Sequence, residues 1–319
     1  MNELSRTFGC FGGSVSIRVS DEAGERAAAA ALHRAELQLR MVHGRLTRFE
    51  ATSELSRLNA DPRRAVPASA LLLELAAAVR WAGLVSDGLV DATCLGALER
   101  AGYGDSRADA EGLDPESFRA AAGSLEPRPA SPDAAAHWRS VGVDREHGMV
   151  ARPPGVMIDG GGLAKGLAAD LLGRRLAAAH ETFALDAAGD LLLGGSAPRA
   201  RTVVVRDPFG GRPLRELRLA RGALATSGIT HRSWLRDDST LGHHLIDPGR
   251  GEPAWTGLLQ VTALAPTALE AEVRAKAALL SGPEGAAHHL PDGGVLVHAS
   301  GEAEEVAGPL TERAVAAAA

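Results

Sequence analysis

Glu272 and Lys276 are a carboxylate and an ammonium four residues apart inside PTALEAEVRAKAALLSG (266–282), an alanine-rich stretch that reads as a helix. At roughly 100° per residue, Leu269, Val273 and Leu280 form its apolar stripe. Lys276 then falls between Leu279 and Leu280, and Glu272 sits beside Leu279 one turn earlier. An exposed pair of this spacing is worth only about 0.2–0.5 kcal/mol, and the wheel disfavours that reading. On a buried face the ammonium needs a partner, because an unpaired ion out of water is costly.

IDGGGLAKG (158–166) is the best anion site in the chain. Its glycines let backbone approach a ligand closely, and the first N–H groups of the helix that follows would face a phosphate. A tight strand-to-helix turn would use the same residues. Lys165 is followed by glycine, so this is not a P-loop, and the dinucleotide fingerprint is incomplete. Asp159 beside a phosphate site makes sense if it binds another part of the ligand or if a cation is near. ALATSGITHR (223–232) places Thr226, Ser227 and Gly228 at a strand end, where hydroxyls suit a polar ligand. No G-x-S-x-G elbow marks a serine hydrolase. GHHLIDPGRG (242–251) supplies His243 and His244, of which only one can face a given site on a strand. H-H-x-x-D is not a zinc spacing. Asp190, in DAAGDLLLGG (186–195), also fits a turn acid satisfied by backbone amides.

The elements that must position these groups are mixed. A strand is expected at Ser14–Val19, a long amphipathic helix at Glu22–Leu46, a short one from Ser53 to Asn59 and another at Pro67–Val85. SDGLVDATCLGALERAG follows, a turn into an apolar segment that carries Asp91. Residues 104–136, rich in Pro, Ala, Ser and charge, read as a loop or linker between two subdomains of one domain spanning 1–310. GMVARPPGVMID reads as a hairpin ending in a strand. Further strands are expected at Phe183–Leu185, Leu191–Leu193, Arg201–Val205, Leu214–Leu219 and LLQVTALA, with a last hairpin near GGVLVHA and a disordered tail at 311–319. Without regular β–α alternation, the class is α+β with largely antiparallel sheet.

The 319 residues are 45% hydrophobic with a net charge of −6, and no Lys/Arg run exceeds two residues. A nucleic-acid groove or basic membrane-binding face is therefore not expected. Cys10 and Cys94 read as small buried hydrophobes rather than a disulfide framework or zinc site. No signal peptide, lipoprotein cysteine motif or membrane-length apolar run is seen, so a cytoplasmic protein without membrane insertion is expected.

The order of the motifs adds more than any one of them. SELSRLN (53–59), GLVDAT (88–93), IDGGGLAKGLAAD (158–170), DAAGDL (186–191), ALATSG (223–228), HLIDP (244–248) and VTALAPTALEAE (261–272) occur in the order of the ApbE family, which the chain resembles over essentially its whole length. These are the FAD:protein FMN transferases. The resemblance implies an ApbE-like (T-fold-like) α+β fold with packed helices and FAD in a cleft between two subdomains. It also implies magnesium at the FAD pyrophosphate, and FMN transfer to a threonine hydroxyl of a target flavoprotein with release of AMP. Met41, Asn59, Asp91, Thr93, Asp159, Gly161, Gly162, Lys165, Asp190, Thr226, Ser227, His244 and Ile246 fall where the family lines its flavin site. His244 is the implied base, with Asp247 nearby to orient its segment.

Gly162, Glu272 and Ala275 fall at the implied metal positions. The family's metal helix usually reads A-D-x-x-A-T, and here Lys276 stands in place of the threonine oxygen. Glu272 and Lys276 are therefore expected to act in catalysis, with Lys276 contributing charge that magnesium otherwise supplies, whether or not a metal still binds. The alternative is a flavin-binding homologue without transfer, a carrier or another flavin-dependent enzyme. Two smaller departures are Gly13, where the family often has Thr, and Ala188, where it often has Gly.

Overall fold

A computed structural model describes residues 2–106, 112–123 and 125–311. Eight antiparallel strands form the main sheet: β1 (Glu3–Cys10), β2 (Gly13–Ser20), β3 (Phe183–Ala187), β4 (Asp190–Gly194), β5 (Gly222–Gly228), β6 (Leu258–Ala265), β7 (Gly294–His298) and β8 (Ala303–Val306). They pair in that order across the sheet. LLQVTALA is β6, an inner strand buried along its whole length, its two polar residues included: Gln260 donates to the Arg206 carbonyl and Thr262 meets Thr226.

Seven α-helices accompany the sheet among the described residues: α1 (Glu25–Leu46), α2 (Glu54–Ala60), α3 (Ala70–Val85), α4 (Leu95–Arg100), α5 (Pro115–Ala122), α6 (Ala164–Ala179) and α7 (Ala268–Ala286). Along α1, Leu32, Leu39, Val42 and Leu46 turn inward at helical spacing. They share one core with residues of α3 and α6, the β2–β3 face and Val273 of α7. Leu279, two turns on from Val273, joins a second core with Phe118, Leu245, Val261 and Leu296. The kink in α7 is at Gly282 (φ 76°), which is followed by Pro283.

The structure departs from the expectations in four places. β1 precedes the expected first strand; its mostly exposed residues carry no alternation that would have announced it. Val156–Asp159 is not a strand. Its backbone bonds go instead to the Asn59 side chain, which accepts from Ile158 N–H and donates to the Ile158 carbonyl, both at 2.8 Å, while Asp159 N–H donates to Ala92. The stretch expected to be loop at 104–136 contains α5, capped by Asp114, whose Phe118 is 1% exposed against Phe209 and Trp255. Residues 107–111 and 124 lie outside the described residues. Of the tail expected to be disordered, Thr311 is buried and hydrogen-bonded to Gly308, while 312–319 lie outside the described residues. Among the described residues no helix is long and apolar enough to cross a membrane.

Candidate functional site

A cleft of about 870 Å³ opens where the starts of α6 and α7, the end of β5 and the segments after α1 and before residue 248 converge. That size suits a cofactor-sized ligand. Asp91, Asp159, Gly161, Gly162, Lys165, Asp190, Thr226, Ser227, His244, Ile246, Glu272 and Lys276 all line it.

α7 enters the cleft with its first turn fixed twice. Thr267 caps it by accepting from Glu270 N–H, and Asp170 of α6 accepts the N–H groups of Ala268 and Leu269. Glu272, one turn in, is 3% exposed; Oε2 accepts the Gly166 N–H at 2.9 Å and Oε1 lies 3.2 Å from Lys276 Nζ. Lys276 Nζ also donates to the Glu272 carbonyl at 3.4 Å. The lysine stem lies over the glycine turn, so close that a Cβ added at Gly162 would stand 3.0 Å from Lys276 Cε.

That geometry tests the implied magnesium site. Both Glu272 oxygens are engaged, and an ammonium has no lone pair to give a metal. A divalent ion about 4 Å from it would be repelled by roughly 8 kcal/mol at an effective dielectric of about 20. Ala275 lies in the second core, away from the cleft walls. Among the described residues no three His, Cys, Asp or Glu side chains gather as a metal site. The side chains at this place do not fit a magnesium ion.

On the other side of the glycine turn, Lys165 forms an ion pair with Asp190 at 2.5 Å. Asp190 Oδ1 accepts the Thr226 N–H at 3.0 Å, and Thr226 Oγ1 lies 2.8 Å from Thr262 Oγ1. The acid is thus satisfied by a lysine and one amide rather than by turn amides alone. Burial works against the Lys165 ammonium, but the charges of Asp190 and Glu272 outweigh it and raise its pKa. The N–H groups at the start of α6 are partly spent within the protein: those of Leu163 and Ala164 donate to the Gly160 carbonyl, and that of Gly166 donates to Glu272. An anion placed there would meet the flanking lysines more than free N–H groups.

The two histidines separate cleanly. His243 ends the strand Leu241–His243, and its ring is held between the Ala254 carbonyl (2.9 Å from Nε2) and the Leu245 N–H, which donates to Nδ1 at 3.2 Å. The carbonyl needs a proton on Nε2 and the amide needs none on Nδ1, so only the neutral ring satisfies both. Burial pushes its pKa down to about 4. His244 faces the cleft instead, with Nδ1 buried and unpartnered among the described residues. Burial first, then the positive charges of Arg232, Lys276 and Lys165, hold its pKa well below the usual range. Asp247 organises the segment that follows His244 rather than touching the ring itself. It accepts from the N–H groups of Ser131, Gly249 and Arg250 and pairs with the Arg250 guanidinium, which closes the turn after Pro248.

Burial also raises the pKa of Asp91, whose Oδ1 takes both the amide and hydroxyl of Thr93 while Oδ2 has no partner among the described residues. Cys94 beside it is pushed up to about 12 by burial and nearby carboxylates, which disfavours the thiolate a nucleophile needs.

Three further expected cofactor or metal residues are not on the cleft wall. Met41 is 46% exposed on the outer side of α1, because Leu39, Val42 and Leu46 take the inner face. Asn59 spends its amide on Ile158, and Thr93 bonds to Asp91. Their work is to hold the segments that carry Asp159 and Asp91. Conversely, sequence reasoning missed Arg48, Phe49, Tyr103 and Arg232, all of which line the cleft. The Arg48 guanidinium stands 4.2 Å from the Phe49 ring centroid and 5.2 Å from that of Tyr103, and its Nε lies 3.4 Å from Asp159. A signal was available: aromatic residues are only 3% of the chain and Tyr103 is its single tyrosine.

A sequence profile of the ApbE family matches residues 11–295. The FAD:protein FMN transferase of Treponema pallidum (strain Nichols) is 32% identical over 162 residues, which is 46% of this chain and 44% of that relative. The match thus spans less than half the length of that relative. Among solved structures, the ApbE protein of Thermotoga maritima MSB8 superposes with a TM-score of 0.78 at 23% identity, covering 95% of this chain and 97% of that one. The flavin transferase ApbE of Vibrio cholerae does so with a TM-score of 0.74 at 17% identity, covering 98% and 99%. Identities this low establish the fold alone, whereas the profile spans most of the sequence: the chain belongs to the ApbE family.

Proposed function

We propose that this protein is an FAD:protein FMN transferase, which moves FMN from FAD to a threonine hydroxyl of a target flavoprotein and releases AMP. The observation that carries the reading is His244, a neutral, half-buried imidazole whose Nδ1 is buried and unpartnered among the described residues, in the same cleft as Lys165 and Lys276. The named activity of the Treponema pallidum relative supports it.

In this reading the FAD diphosphate lies against the glycine turn at 160–162, between Lys165 and Lys276. The threonine Oγ attacks the phosphorus on the FMN side. As the new O–P bond forms, the P–O bond to AMP breaks and AMP leaves with that electron pair. The hydroxyl proton passes to His244, which is able to accept it because its surroundings keep the ring neutral. The lysines offset the charge on the transferring phosphoryl group, the larger share of catalysis in this chemistry. Thr226 and Ser227 position the ligand from the end of β5, and Arg48 and Tyr103 offer a stacking surface.

His244→Asn should leave FAD bound and abolish FMN transfer, read by calorimetry and by the mass of the acceptor. A His244→Asn enzyme that still transfers at the wild-type rate would remove the histidine from the chemistry. One observation favours a second reading, a flavin-binding homologue without transfer. It is the ammonium of Lys276, which stands in place of an oxygen ligand.

A further inference from the structure

We propose that Lys276 is the resident cation of this cleft and that the chain binds the diphosphate of FAD through it, without a divalent metal. The inference rests on the flavin reading above and specifies how that site holds its anionic ligand.

Three observations carry it. The Lys276 side chain is only 14% exposed, and what remains open faces the cleft. Its stem packs on Gly162, so the ammonium is delivered over the glycine turn rather than out to solvent. Glu272, itself pinned by the Gly166 N–H, holds the ammonium there through Oε1 and its main-chain carbonyl. An ammonium has three donors. Two have acceptors here, and the third has none among the described residues. A donor left over on a half-buried ammonium that faces a cleft is placed for an anionic or carbonyl ligand.

The arrangement also gives Glu272 a role. Alone, a carboxylate beside a diphosphate would repel it; paired with Lys276 it becomes a fixed support for the positive group. Lys165 and Asp190 repeat the device across the glycine turn, and Arg232 lines the same cleft. The site has its positive charge on covalently attached side chains, where a metal-dependent site takes it from solution.

The test is FAD affinity, measured by calorimetry on purified protein in EDTA and again in magnesium chloride. Wild type should bind FAD in EDTA, with magnesium changing Kd by no more than about twofold. Lys276→Thr, which supplies an oxygen ligand beside Glu272, should bind at least about tenfold more weakly in EDTA, the worth of one charge-assisted hydrogen bond. Magnesium should restore part of that loss. The near-isosteric neutral pair Glu272→Gln with Lys276→Met guards against a folding defect caused by stranding Glu272. It should melt as wild type does yet bind FAD weakly in both buffers. Wild type that tightens tenfold or more with saturating magnesium would overturn the proposal and leave the flavin reading standing. Lys276→Thr that matches wild type in EDTA would overturn it too. Wild type that binds no FAD in either buffer would overturn both.

Discussion

Gly13 and Ala188 face each other across two adjacent hairpin turns, and a Cβ added at Gly13 would stand 2.7 Å from the Cβ of Ala188. Ala188 is held at φ 56°, a conformation that suits glycine, and its N–H donates to the Ser14 carbonyl. The two departures noted separately in the sequence are therefore one exchange: the side chain absent at Gly13 makes room for the one present at Ala188.

Ala188→Gly should stabilise the protein slightly, by about 0.5–1 kcal/mol, since relief of the left-handed backbone exceeds the added chain entropy. Gly13→Thr alone should destabilise by about 1–3 kcal/mol through overpacking. Combined, the two should show a favourable coupling of at least about 1 kcal/mol in urea denaturation. Strict additivity would mean that the turns do not touch.

Acid should cost this fold stability through His243. Its folded pKa, about 4, lies below the unfolded value of about 6.5. Between those values the unfolded chain binds more protons, so stability falls as pH drops through this window and is fully present above it. Integrated, the loss is about 3 kcal/mol. The stability of His243→Gln, already lower at neutral pH, should decline less from pH 7 to pH 4.5 than that of wild type. Equal slopes in urea titrations at both pH values would show that His243 is not the group responsible.

Lys165→Ala should weaken FAD binding about tenfold or more while Thr226 keeps its bond to Asp190. Calorimetry with unchanged affinity would move the diphosphate away from this side of the glycine turn. A Lys165→Arg variant that recovers most of the affinity would locate the effect in the charge.

Much of this arrangement was legible in the sequence because it is local. The Glu272–Lys276 pair follows from helical spacing alone, and strand alternation already allowed only one of His243 and His244 to face the site. The antiparallel hairpin β3–β4 is written in DAAGDLLLGG by its turn residues and apolar run. What could not be read depends on distant partners. Asn59 looked like a ligand residue, but its amide completes the backbone bonding of Ile158, 99 positions away. Asp170 gave no sign in sequence that it caps a helix beginning at Ala268. Arg48 and Tyr103 meet in space from separate loops, and no period connects them. α5 was hidden because its short run of alanines and charges buries mainly Phe118 and Ala122.

Intact mass spectrometry reads FMN transfer itself. Purified wild-type protein would be incubated with FAD, in EDTA and in magnesium, together with a flavoprotein acceptor that bears the threonine. The acceptor should gain the mass of one FMN unit, the gain should survive denaturation, its threonine→alanine variant should gain nothing, and AMP should appear in equal amount. An acceptor of unchanged mass in both buffers, while FAD demonstrably binds, would rule out FMN transfer and make the protein a flavin-binding homologue without it.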